Sequence, residues 1–234
     1  TYTLADNITV ESGLILQSSK ELTINGNNKT IAPAVTGLNE QGIVNDGATK
    51  IDNLIINSGT LTLKNLNVYG GKGRAIKNSG TLDMESVTIE RAYGKDYGAG
   101  LYNLSGAKAL LTDCNIRNNT TSSAGGGFYN SGMLIMERSA VVKNSNTSTR
   151  SEGGGGGEIA SGSLYMNNCT VADNKSTEYG GGLNLYGGNA YIMNTTVTGN
   201  ITTKAGTLGG GIGCHGTNVY AVNSVFSYNY SNEA

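Results

Sequence analysis

Acid–base or nucleophilic chemistry in this chain would have to come from a short inventory: one histidine, His215, three cysteines, and 17 acidic residues spread over 234 positions. Glycoside hydrolysis needs two carboxylates facing each other across the scissile bond, and calcium-assisted elimination needs acidic ligands beside a base. When the chain is aligned on its internal repeat, no strand face gathers two acidic residues on neighbouring coils. Glu85 and Glu137 share an outward column, but Thr112 lies between them. His215 stands in Gly213-Cys214-His215-Gly216 and reads as a turn or surface residue, and Cys214 has no aligned base or resolving thiol. Cys114, Cys169 and Cys214 lack metal-ligand spacing and cannot all pair, so free, buried thiols are expected, with no metal and no cofactor. No catalytic residue is assigned.

Two features hold more interest. Aligning 156–166 with 126–136 puts Glu158 in the column of Phe128, facing the core, where a buried carboxylate would mark a site. The alternative is a local bulge after the five preceding glycines, which turns Glu158 out and Ile159 in, and this is the favoured reading. The second feature is an outward column of Leu110, Ile135, Tyr165, Tyr191 and Tyr220, alternating with inward residues such as Ala109 and Leu134. Stacked about 4.8 Å apart on successive coils, these residues would form an exposed apolar ladder, extended by Met193 and Val222. Such a strip suits a glycan, a protein ligand or a second copy of the chain, or else it stabilises the sheet. The polar insert 144–157 is a candidate cover or contact loop.

The elements that position these residues come from a repeat. Segments 63–68, 84–89, 111–116, 136–141, 166–171, 192–197 and 221–226 share an apolar or small residue at their first, fourth and sixth places, and their starts are 21 to 30 residues apart. That spacing is one coil of a parallel β-solenoid. The fourth place reads Leu66, Val87, Cys114, Ser139, Cys169, Thr195, Ser224, small enough for a narrow core. Cys114 and Cys169, two coils apart, would lie about 9.6 Å from each other, beyond disulfide reach. A glycine-rich element precedes each later strand (73–76, 98–101, 125–128, 180–183, 209–212), and a Ser-Gly or Gly-Gly turn follows it. An asparagine recurs three residues beyond each later strand, at Asn119, Asn144, Asn174, Asn200 and Asn229, placed to stack amide on amide along the axis. Residues 1–60 fit this pattern poorly and are read as irregular early coils, with 61–234 regular. The expected fold is all-β, one right-handed parallel β-helix of roughly eight coils, and a segment that continues in a longer protein.

With its Gly-Gly-Gly-apolar and apolar-x-x-Asn elements, the region 73–229 resembles the polymorphic outer-membrane protein repeats and related adhesin-like surface proteins. Phe226-Ser227-Tyr228-Asn229 matches the family's FxxN element in full. The resemblance implies a right-handed β-helix displayed outside the cell, non-catalytic, contacting a glycan or a surface protein. β-Helices also carry polysaccharide lyases and glycoside hydrolases, so a carbohydrate-active enzyme is the rival expectation and a passive spacer the third. Composition narrows partners further. A net charge of −1 without a basic stripe argues against nucleic acid, and no apolar run approaches the roughly 20 residues of a membrane helix.

Overall fold

The computed structural model describes residues 1–34, 51–150, 153–207 and 209–232. Among these residues every regular element is a β-strand, and every strand pairing is parallel to the strand one coil away. One sheet system of 20 strands and a second sheet of eight strands wind around a common axis, giving eight coils. The part of the early region that falls on 35–50 lies outside the described residues. In the first coils Glu21–Pro33 pairs with Thr60–Gly71 through a register shift between Asn25 and Lys29, the one irregularity of an otherwise repetitive ladder there.

A middle coil shows how the sequence bends. Lys108–Thr112 runs straight, Asp113 turns the chain, Asn115–Arg117 continues, and Asn118 turns it again into Thr120–Thr121. Glycine-rich chain then leads into Phe128–Asn130 on the second sheet. The first corner recurs at Asn65, Ser86, Asp113, Arg138, Asn168, Asn194 and Asn223, all left-handed with φ between 45 and 55°. These corners are not glycines and add to the expected glycine turns, which take positive φ at Gly98, Gly125, Gly180 and Gly209; a left-handed residue with a side chain costs about 1–2 kcal/mol. Hydrogen bonds to the next coil offset that cost. After the corner, the Cys114 N–H donates to Ser139 Oγ (3.0 Å), and the Cys169 N–H donates to Thr195 Oγ1 (3.2 Å). The small polar residues of the fourth column therefore serve as acceptors as well as filling a narrow core.

The glycine corner obeys a harder constraint. A Cβ on Gly126 would stand 2.4 Å from the carbonyl oxygen of Gly155 and 2.5 Å from that of Ser145, so two segments of the next coil close over it. Inside, aliphatic columns stack in register, such as Leu63, Met84, Leu111, Met136, Met166 and Ile192, all fully buried. The asparagine column closes its corner as anticipated. The Asn119 amide donates to Asn144 Oδ1 at 3.0 Å, Asn144 to Asn174 at 3.1 Å, and Asn174 to Asn200 and Asn200 to Asn229 at 2.9 Å. Each oxygen also accepts the backbone N–H of the preceding asparagine, and each amide also donates to a carbonyl one coil back. A second buried ladder, Asn57 to Asn78 to Asn103 to Asn130 with 2.8 Å steps, lines the other sheet. It ends where Ile159 and Leu185 take over the same column.

Candidate functional site

The outward column anticipated in the sequence forms as a ladder. Leu110, Ile135, Tyr165, Tyr191 and Tyr220 are mutual register partners on successive strands. Strand alternation sends Ala109, Leu134, Leu164 and Ala190 into the core, which leaves the neighbouring column outside. The tyrosine rings lie nearly parallel: Tyr165 and Tyr191 are 4.7 Å apart at 4°, and Tyr191 and Tyr220 are 5.0 Å apart at 10°. The ring planes thus follow the strand spacing, and the tyrosines cover one another's faces. What the column offers a partner is a row of ring edges, not a row of open faces for stacking. Ser163, Asn189 and Asn218 flank the rings on one side, with Asn167, Met193 and Val222 on the other. Met193 and Val222 are exposed, so the strip combines polar and apolar edges.

Glu158 resolves in the outward sense, with a difference. It pairs in register with Tyr129 and Asn184 on the outer face of the second sheet, while Ile159 points into the core and is fully buried. Gly157, not Glu158, occupies the Phe128 column. A Cβ there would lie 2.2 Å from the Phe128 ring, so the large ring on one coil requires the glycine on the next. No bulge interrupts the strand; the extra residue sits in the turn Ala160-Ser161-Gly162, which is one longer than Ser131-Gly132. Although it points away from the core, Glu158 is only 6% exposed, because the insert folds over it. Its carboxylate accepts from the Gly153 N–H and from the Asn184 amide, both at 3.0 Å. The insert 144–157 therefore acts as a cover at Gly153 and at the buried Asn146 and Ser148; its residues 151–152 lie outside the described residues.

The other candidates separate. Cys114 and Cys169 are buried free thiols, but Cys214 is exposed, contrary to expectation. It holds the inward column after Ile159 and Leu185, on the last strand of the second sheet among the described residues, which leaves it exposed. Burial pushes the Cys114 thiol up to about 11, and burial raises Cys169 as well. Both thiols donate to carbonyls behind them, Cys114 to Thr112 at 3.2 Å and Cys169 to Met136 at 3.3 Å. His215 is exposed and meets Tyr179 edge-on at 4.8 Å. Glu85 is held by Lys64 at 2.7 Å and Glu137 accepts from the Asn167 amide at 3.0 Å, with Thr112 between the two carboxylates in the register.

A second aromatic group, absent from the sequence-based expectations, stands on the other sheet. Tyr102 and Tyr129 are neighbours on the second sheet, and Tyr97 folds over them from the turn before Gly98. Tyr97 stacks on Tyr129 at 4.5 Å, and Tyr102 meets Tyr129 edge-on at 5.3 Å. The Arg74 guanidinium lies 4.9 Å from the Tyr102 centroid and donates to the carbonyls of Tyr97 (2.8 Å) and Gly98 (3.1 Å). The outward alternation of Tyr102 and Tyr129 was available as a signal, since each stands two places before a turn and beside an inward asparagine.

A family model described as the right handed beta helix region matches residues 49–226, more than half of the chain, and the chain belongs to that family. No curated protein and no solved structure matches it.

Proposed function

We propose that this β-helix is a non-catalytic binding segment of an exported surface protein, an adhesin or stalk of the kind its polymorphic outer-membrane protein-like repeats suggest. The tyrosine column is its contact surface. The observation that carries this reading is the in-register stack of Tyr165, Tyr191 and Tyr220, outward on a flat sheet with asparagines beside it. Ring edges and hydroxyls in a row suit the alternating polar and apolar edge of a glycan, or a protein segment laid along the axis. The engagement of Glu158 by Gly153 and Asn184 favours binding over glycan cleavage, because that carboxylate already serves to hold the insert.

The test is a glycan array run beside a panel of surface-protein ligands, comparing the chain with a Tyr165→Ala, Tyr191→Ala, Tyr220→Ala variant whose fold is checked by circular dichroism. Selective binding that disappears in the variant is the expected result. Undiminished binding would move the column to a purely structural role. Release of new reducing ends from any bound glycan would overturn the non-catalytic reading.

A further inference from the structure

The second sheet carries a different surface. Lys77, Tyr102 and Tyr129 follow one another in a single outward column, and the turn 95–97 folds Tyr97 over them. Two cavities of about 300 Å³ each open beside this group. One is bounded by Asn53, Lys72, Arg74 and Lys77, the other by Tyr97, Ser122, Ser123 and Arg150, and Lys95 and Asp96 belong to both. Their walls come from successive coils and share Lys95 and Asp96, so the two cavities adjoin along the solenoid axis as a groove in two parts.

The charge in this groove is out of keeping with the chain, which carries −1 overall. Lys72, Arg74, Lys77, Lys95 and Arg150 line it against Asp52 and Asp96. Both carboxylates act on Arg74, which is buried and further held by Asn53, Tyr97 and Gly98. Lys77, Lys95 and Arg150 make no ion pair among the described residues. Among the described residues, three cations without an ion-pair partner therefore stand near Tyr97 and the hydroxyls of Ser122 and Ser123.

We propose that this groove binds an extended anionic polysaccharide, with Lys77, Lys95 and Arg150 holding its carboxylate or sulfate groups and Tyr97 supporting its rings. Three cations are too few for the many phosphate contacts that hold a nucleic acid. A peptide added as a strand needs an open sheet edge, and the groove walls are turns and outward side chains instead. A linear polymer with charge at regular intervals matches both the axial run and the spaced cations. This site shares no residue with the tyrosine column, so it stands or falls separately from the function proposed above.

Binding of the whole chain to polygalacturonate, dextran sulfate and neutral dextran, measured by calorimetry at about 50 mM and about 300 mM salt, tests it. The comparison variants are Lys77→Gln, Lys95→Gln, Arg150→Gln in the groove and Lys20→Gln, Lys108→Gln, Lys143→Gln elsewhere, which change the net charge equally. The expected result is binding to at least one charged polymer and none to dextran, with a loss of about tenfold or more in the groove variant and about twofold or less in the control. Preference for polygalacturonate identifies a uronate-type carboxylate as the ligand group, and preference for dextran sulfate identifies a sulfate. No binding to either charged polymer, or equal losses in both variants, would overturn the proposal.

Discussion

The two tyrosine groups are built from the same residue on the same solenoid, yet they differ in every respect that bears on binding. Tyr165, Tyr191 and Tyr220 sit on strands of equal length in unbroken register, so their rings inherit the strand spacing and lie parallel. Tyr97, Tyr102 and Tyr129 mix two strand residues with one from a turn, and edge-on pairs appear at 70° and 90°. Periodicity makes a filled, flat surface; departure from it makes cavities and brings charge beside aromatic rings. A repeat protein thus places its smooth contact surface where coils are alike, and its concave one where they differ.

Changes at a shared corner should affect both groups most. Asn174→Ala removes two bonds accepted from Asn144 and the two donated to Val141 and Asn200, and should cost about 3 kcal/mol in denaturant unfolding. A loss below about 1 kcal/mol would show that the amide ladder adds little. On the tyrosine-column side, alkaline pH provides a narrower test. The folded-state pKa of Cys114 is raised, so its contribution is fully present below the ordinary thiol range and is lost as pH climbs from about 9 towards about 11. Stability should fall over that window by roughly 2 kcal/mol, and Cys114→Ser should flatten the fall.

On the groove side, Arg74→Met leaves the carbonyls of Tyr97 and Gly98 without their donor. It should cost about 2 kcal/mol and broaden the near-ultraviolet tyrosine signal of that group while the ladder signal stays. The smallest effect is expected from Tyr191→Ala, which ends two ring stacks on an exposed face and should cost about 1 kcal/mol. A much larger cost would mean that the ladder is chiefly a structural brace, narrowing the difference between the two surfaces.

The coil period, the inward columns, the asparagine corner and the tyrosine ladder were all legible in the sequence, because each depends on one residue type recurring at one place. The left-handed corners at Asp113 or Arg138 were not, since the conformation is set by the coil and tolerated by several side chains. The register at Glu158 is not legible in the sequence, because a glycine run carries no side chains to fix it; the Phe128 ring against Gly157 decides it in space. Cys214 matched its column but not its burial, which depends on whether a neighbour lies above it. The Arg74 groove is not legible in the sequence, because Arg74 opens a strand while Tyr97 and Arg150 come from differently shaped loops, and only folding brings them together.

Both asparagine ladders point the same way: from Asn119 to Asn229, and from Asn57 to Asn130, every amide donates towards the later coil. The molecule therefore has a vectorial polarity that its aliphatic core lacks. A coil completed early holds out a backbone N–H and an amide N–H at the asparagine corner, and both wait for the single oxygen that the next coil supplies. Assembly in the order of synthesis would advance by capping the same pair of donors each time, with each aligned dipole polarising the one before it. The sequence of a coil is in this sense also an instruction about direction.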